Sequence, residues 1–341
     1  MLVVAFPLPC RAVTPPFYDS FQHVGLSPYA DIFVINQCVK LLQAPESCLS
    51  FHPFSRVFLR LKPMHNPFLI NVPTCISFSG GRTSAYMLHR ILEANGGLPT
   101  EAIICFANTG KECEETLEFV RDCAVNWKVP IVWLEWRDTQ EKFEVVTFET
   151  ASRNGEPFEA LIRKRNYLPN PVTRFCTIDL KIRPIGRYLL SLGMADTKTE
   201  AENMSMIGMR ADEQRRAAKI AEKSRIPLVT AGITKKDVGA FWRSQSFDLG
   251  LPNNDGVTMH GNCDLCFLKG GAQILSLIAE KPERAIWWAK IEALALALAS
   301  KPSGAHFRTD RPSYASMLQF TKEQVDMFDP SEESISCFCG D

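Results

Sequence analysis

No stretch of this 341-residue sequence approaches the ~18–20 consecutive apolar residues that span a bilayer. The longest apolar-rich helical segment, Ile286 to Ala299, is interrupted by Lys290 and Glu292. The N-terminal MLVVAFPLPCRAV lacks a basic start, and Pro7 and Pro9 break its apolar run, so it does not read as a secretory signal. These absences predict a cytoplasmic protein with no membrane partner. Charge of one sign is also lacking: 38 basic side chains face 38 acidic ones, which excludes the global basic excess of proteins that wrap duplex nucleic acid. There is no internal repeat, low-complexity tract, HExxH pattern or Ser/His/Asp order. With 46% hydrophobic and 22% charged residues, the chain is expected to fold around a sizeable core.

Cysteine is abundant instead, at twelve residues. Without a secretory signal, metal or redox chemistry is the expectation for some of them. Cys75, Cys105 and Cys123 sit in apolar or helical patterns and read as plain buried residues. Residues 1–63 hold 8 of the 22 prolines, show no sustained period, and read as a poorly ordered leader or as sequence upstream of a natural start at Met64. From residue 71 a strand–helix rhythm begins. Strands are predicted over Val72–Phe78, Ala102–Ala107, Pro130–Trp136 and Asn203–Met209. Helices are predicted over Ser84–Ala94, Glu112–Trp127, Thr177–Leu192 and Lys235–Arg243, with one or two more within 270–299. Asp138 to Tyr167 reads as an insertion or loop with some strand, and the tail from 300 as turn-rich. Strand and helix alternating at this spacing imply a parallel sheet with right-handed crossovers. The expected organisation is an α/β domain over 64–250, with a Cys-bearing helical segment over 251–341 packing on it.

The turn after the first strand, SFSGGRTSAYML, places Ser79, Gly80, Gly81, Arg82, Thr83 and Ser84 between a buried strand and a helix N-terminus. Glycines let backbone N–H groups approach an anion, and the helix start adds positive partial charge. The Walker spacing GxxxxGK[ST] is absent. SGGRTS resembles the SGGxxS signature of the PP-loop superfamily, which contains ATP pyrophosphatases and phosphoadenosine phosphosulfate (PAPS) reductases. FANTGKECEETLEFV, RFCTIDLKIRP, IGMRADEQRR and TKKDVGAFW resemble further family segments, in the family's order, between Pro73 and Gly270. The likeness is closest to phage-type and bacterial PAPS-reductase-like proteins. It implies a PP-loop sheet sandwiched by helices and an adenine nucleotide (PAPS, APS or ATP) on the turn. Asn108 and Thr109 at the end of the second strand, with Lys181 and Arg210, would join the nucleotide site. Many ATP pyrophosphatases carry Asp where this chain has Thr83, which weakens ATP hydrolysis as an expectation.

The basic residues Lys111, Arg174, Lys181, Arg183, Arg210, Arg215 and Arg216 fall in the motif segments. Asp212 and Glu213 are placed to orient Arg210 or cap its turn, and Arg215 and Arg216 read as a solvated helix face. Cys263 and Cys266 form a CxxC, and the chain ends CFCGD. A CxxC alone is ambiguous between metal ligand and redox pair. The family resemblance implies a 4Fe–4S cluster for which Cys176, Cys263 and Cys266 match three ligands, while Phe175 stands where the reductases carry a further cysteine; Cys339 of the tail is the expected fourth, with zinc as the competing metal. The tail lacks the ECGLH-like motif that carries the reductases' nucleophile, and its other cysteine, Cys337, is the candidate for that role. The implied activity is thiol-dependent reduction of a sulfonucleotide, drawing on a reductant such as thioredoxin or glutaredoxin. Two other functions stay open: an ATP-dependent sulfur transferase acting on DNA or tRNA, and a silent nucleotide- and metal-binding module. Only the transferase needs a nucleic-acid partner. His260 reads as a loop histidine, and Trp287-Trp288 as core.

Overall fold

The computed structural model describes residues 66–254, 258–261, 263–298 and 302–323. The predicted leader over 1–63, Cys337 and Cys339 lie outside them. Five strands form one sheet: β1 (Thr74–Phe78), β2 (Ala102–Asn108), β3 (Ile131–Glu135), β4 (Glu144–Val146) and β5 (Ser205–Ile207), in the order β4-β3-β2-β1-β5. β1 pairs in parallel with both β2 and β5, and β2 with β3; β4 alone runs antiparallel, on the edge. The sheet is therefore mostly parallel rather than wholly so. Its edge strand comes from the charged insertion, reached by a short return that a parallel crossover could not make.

The strands read as continuous apolar runs because both faces are covered. On one face Ile76, Phe78, Ile104, Phe106 and Trp133 pack against α1 (Arg82–Asn95) and α2 (Glu114–Trp127). On the other, Cys75, Cys105 and Leu134 meet Ile185, Leu189 and Ala201. Cys75, Cys105 and Cys123 are fully buried, as their pattern suggested. A third cluster joins residues 136–180 to the C-terminal helices around Phe158, Phe267, Trp288 and Tyr314. The segment after 251 thus packs on the same body as the sheet's loops.

Two helices stand where turns or loops were expected. α3 (Glu156–Arg165) buries Phe158, Leu161 and Ile162 at helical spacing, and Gly155 turns the chain into it at φ 79°. The predicted helix over Thr177–Leu192 is broken by a π turn, Ile178–Ile182, before α4 (Arg183–Ser191) resumes. Pro184 lacks the N–H that a continuous α-helix would need there, and the widened turn sits just ahead of it. α5 (Lys198–Asn203) precedes β5, and α6 (Gln214–Ile220) follows it. α7 (Lys235–Arg243) opens on a capping box made by Thr234 and Asp237. α8 (Gly271–Glu280), α9 (Glu283–Leu298) and α10 (Tyr314–Glu323) complete the described chain; the last lies in the tail read as turn-rich. No helix among the described residues is long and apolar enough to cross a membrane.

Candidate functional site

β1 is the strand from which the chain order departs in both directions, with β2 and β3 on one side and β5 on the other. Loops leaving β1 and β5 therefore diverge, and the crevice between them is where open α/β sheets bind ligands. The Ser79–Ser84 turn leaves β1 at this point. Gly80 has φ 78°, and a Cβ there would lie 2.6 Å from Thr116 Cγ2. Gly208, beyond β5, is pressed against the turn from the other side: a Cβ on it would sit 2.7 Å from Ser84 Cα. Both glycines are required by close approach.

The turn is braced from within. Ser84 Oγ accepts from Ser79 N at 3.1 Å and from Ser79 Oγ at 2.9 Å, and donates to Gly81 O at 3.0 Å. α1 starts after Gly81 with no side chain capping it, which leaves its first amides without a side-chain partner at the N-cap. Arg210 donates through Nη1 to Thr83 Oγ1 at 3.0 Å. Asp212 and Glu213 orient Arg210: Asp212 accepts from Nε, and Glu213 accepts from the backbone N–H. Thr83 thus receives a guanidinium at the start of α1.

The cavity at the turn is lined by Gly80, Gly81, Thr83, Arg210, Lys235 and Thr258, among others. Its volume is about 20 Å³, so no ligand-sized hole is preformed at the turn. Arg82 is committed elsewhere. Its guanidinium donates to Asp248 Oδ1 at 2.7 Å and Oδ2 at 2.5 Å, to Thr258 Oγ1 at 3.0 Å and to Leu251 O at 2.8 Å. Burial pushes the Asp248 carboxyl up, and the Arg82 guanidinium outweighs this and holds it below its ordinary value. Asn108 is likewise engaged: its amide donates to Glu135 at 2.6 Å and to Ser152 O at 2.8 Å, and its oxygen accepts from Gly110 N.

Thr109 and Lys181 belong to a second, neighbouring cavity, not to the turn. Cys176, Cys263 and Cys266 line it with them, together with Phe158, Phe267 and Trp288. Glu112 organises this wall. It accepts from Thr109 N at 2.9 Å and Thr109 Oγ1 at 2.8 Å, and pairs with Lys181 Nζ at 3.4 Å. Thr109 Oγ1 lies 3.6 Å from Cys263 Sγ. Beside it, buried Lys111 meets Asp264 at 3.0 Å and stands over the Trp287 ring. Cys113 is close by but buried, and burial pushes its thiol up to about 11. His260 pairs with Glu280 at 2.7 Å and lines neither cavity. Arg215 is exposed as expected, whereas Arg216 is buried against Glu213. Trp288 is core, fully buried beside Tyr314.

The three cysteines fit a metal group only in part. A cluster takes four thiolates, three line this cavity of about 20 Å³, and Cys339 lies outside the described residues. Among the described residues no three His, Cys, Asp or Glu side chains are arranged to hold an ion. Lys235, Thr258 and Glu112 were not singled out from the sequence. The capping box before Lys235 was the one readable signal among them.

No protein-family model matches the chain. No solved structure matches it. Over 214 residues, 60% of this chain and 68% of the other, it is 30% identical to the "Uncharacterized nin region protein ORF290" of Escherichia phage lambda. The chain belongs to the family of that phage protein.

Proposed function

We propose that the chain binds an adenine sulfonucleotide across the Ser79–Ser84 turn and releases sulfite from it by thiol chemistry, as the PAPS reductases it resembles do. The observation that carries this reading is the meeting of Cys176 with Cys263 and Cys266 in one cavity, walled by Thr109 at the end of β2, the strand next to the turn. Chain segments far apart in sequence converge there, and a chance CxxC would not require it. The glycine turn at the β1–β5 crevice, with Arg210 held beside it, suits the anionic end of such a nucleotide.

In the proposed reaction the Cys337 thiolate attacks the sulfuryl sulfur. The S–O bond to the nucleotide phosphate breaks, the nucleotide leaves, and a Cys–S–SO3⁻ enzyme forms. A thiol of a dithiol reductant then attacks the cysteine sulfur and expels sulfite. The second thiol resolves the mixed disulfide, so the dithiol supplies both electrons. No step passes through a metal group. In this reading a 4Fe–4S cluster would draw on Cys176, Cys263, Cys266 and Cys339; the first three share a cavity but are not arranged to hold an ion as they stand, so its binding would require them to close in.

The test is sulfite release from PAPS and from APS, under anaerobic conditions with a dithiol donor. Cys337→Ser is expected to abolish release, and Arg210→Ala to raise KM more than it lowers kcat. Pyrophosphate from ATP without sulfite would instead indicate the sulfur transferase. Nucleotide binding with neither product would indicate the silent module. Iron and sulfide analysis of anaerobically purified protein checks the cluster, with Cys176→Ser expected to lower bound iron.

A further inference from the structure

A third cavity lies on the other side of the π turn. Its volume is about 650 Å³, far more than at the turn or the cysteines, and none of its lining residues is shared with either. Lys142, Lys164, Arg165, Arg183, Arg187 and Lys198 line it, against the carboxylates of Asp179 and Glu202. Asp179 is buried and binds Arg165 and Arg183 together, each through one terminal nitrogen, which fixes two guanidinium forks at the rim. Asp138 accepts from Lys142 at 2.7 Å and from Lys164. Arg187 and Lys198 make no ion pair among the described residues. Even with Asp138 counted, cations outnumber carboxylates two to one. Ile178 and Ile182 add exposed apolar surface to the same lining.

We propose that this cavity is a second anion site, taking a compact phosphorylated small molecule that carries more than one phosphate group. Guanidinium forks match phosphate oxygens bidentately. The volume falls within the roughly 300–1,000 Å³ of small-molecule pockets, and the isoleucines offer an apolar rest for the ligand's uncharged part. A single walled cavity, rather than a basic stripe, favours a small ligand over a nucleic-acid strand. The site stands apart from the Ser79–Ser84 turn and does not rest on the function proposed for it.

The experiment titrates the full chain with inorganic tripolyphosphate by calorimetry, beside an oligothymidylate. The double variant Arg187→Glu, Lys198→Glu is expected to weaken tripolyphosphate binding on the order of tenfold or more, since two unpaired cations become repulsive. Arg210→Ala, at the turn, should leave this site unchanged. Arg187→Gln, Lys198→Gln provides a milder loss should charge reversal perturb folding, which circular dichroism reports. Three results overturn the proposal: no tripolyphosphate binding, binding lost with Arg210→Ala but not with the double variant, or binding of oligothymidylate alone. Sulfite release is read separately and stands or falls independently of these outcomes.

Discussion

Gly80→Ala tests the architecture of the turn most directly. The substitution imposes two costs. At φ 78° an L side chain is strained by roughly 1–2 kcal/mol. The new Cβ would also stand 2.6 Å from Thr116 Cγ2, 3.2 Å from Phe106 and 3.3 Å from Val120. Thr116 and its neighbours are buried, so relief requires α2 or the turn to shift, at about 1–3 kcal/mol. The sum is about 2–5 kcal/mol, or on the order of 5–15 °C in melting temperature for a body this size. Gly96→Ala is the control: its φ is 68° but nothing lies within 4 Å of a Cβ, so it carries the strain alone. Thr116→Ser removes the clashing methyl. In a double-mutant cycle it should recover about 1 kcal/mol of the Gly80→Ala loss while costing little in the wild type. Urea melts of the four proteins measure this. Equal losses for Gly80→Ala and Gly96→Ala, with no coupling to Thr116, would refute the close packing of the turn on α2.

Asp248 has a folded-state pKa held down by Arg82, so its contribution is complete above the unfolded value near 4 and drains away as pH falls through the folded one. Asp248→Asn should therefore flatten the acid limb of a stability–pH curve and lower neutral-pH stability by about 1 kcal/mol, the carboxylate being partly solvated. Alkylation of the metal-free protein at pH 8, read by peptide mass spectrometry, should label half-buried Cys176 and Cys263 well before Cys113 and Cys123, whose thiols burial pushes up. Equal labelling of Cys113 and Cys176 would contradict that ordering. Gly208→Ala should loosen the turn from β5 and weaken the proposed nucleotide binding more than it lowers the melting temperature, checked by titration with PAPS beside a thermal scan.

The first three strands and the helices between them were legible because parallel strands buried on both faces write unbroken apolar runs, and Gly96 marks the end of α1 with a left-handed turn. α3 was hidden: its buried Phe158, Leu161 and Ile162 are interleaved with five charged residues, and its start is set by Gly155, squeezed against Trp287 from a distant helix. The same limit governs the site. Local spacing announces the glycine turn and the family resemblance pointed to Arg210, but the partner of Arg82 lies 166 residues away, and no local pattern encodes that contact. Lys235 reaches the cavity because Asp212 accepts from its backbone N–H at 2.9 Å, again a tertiary fact.

The π turn explains how one short segment serves two environments. Cys176, Thr177, Leu180 and Lys181 face the cysteine cavity, while Ile178, Asp179 and Ile182 face the basic one. Asp179 draws Arg165 and Arg183 to one side, and Glu112 holds Lys181 on the other, so the segment is gripped by opposite charges across its width. A net charge of zero over the whole chain is then no guide to its binding chemistry. Neutrality is reached by distributing carboxylates elsewhere, while six cations stay concentrated around one hollow.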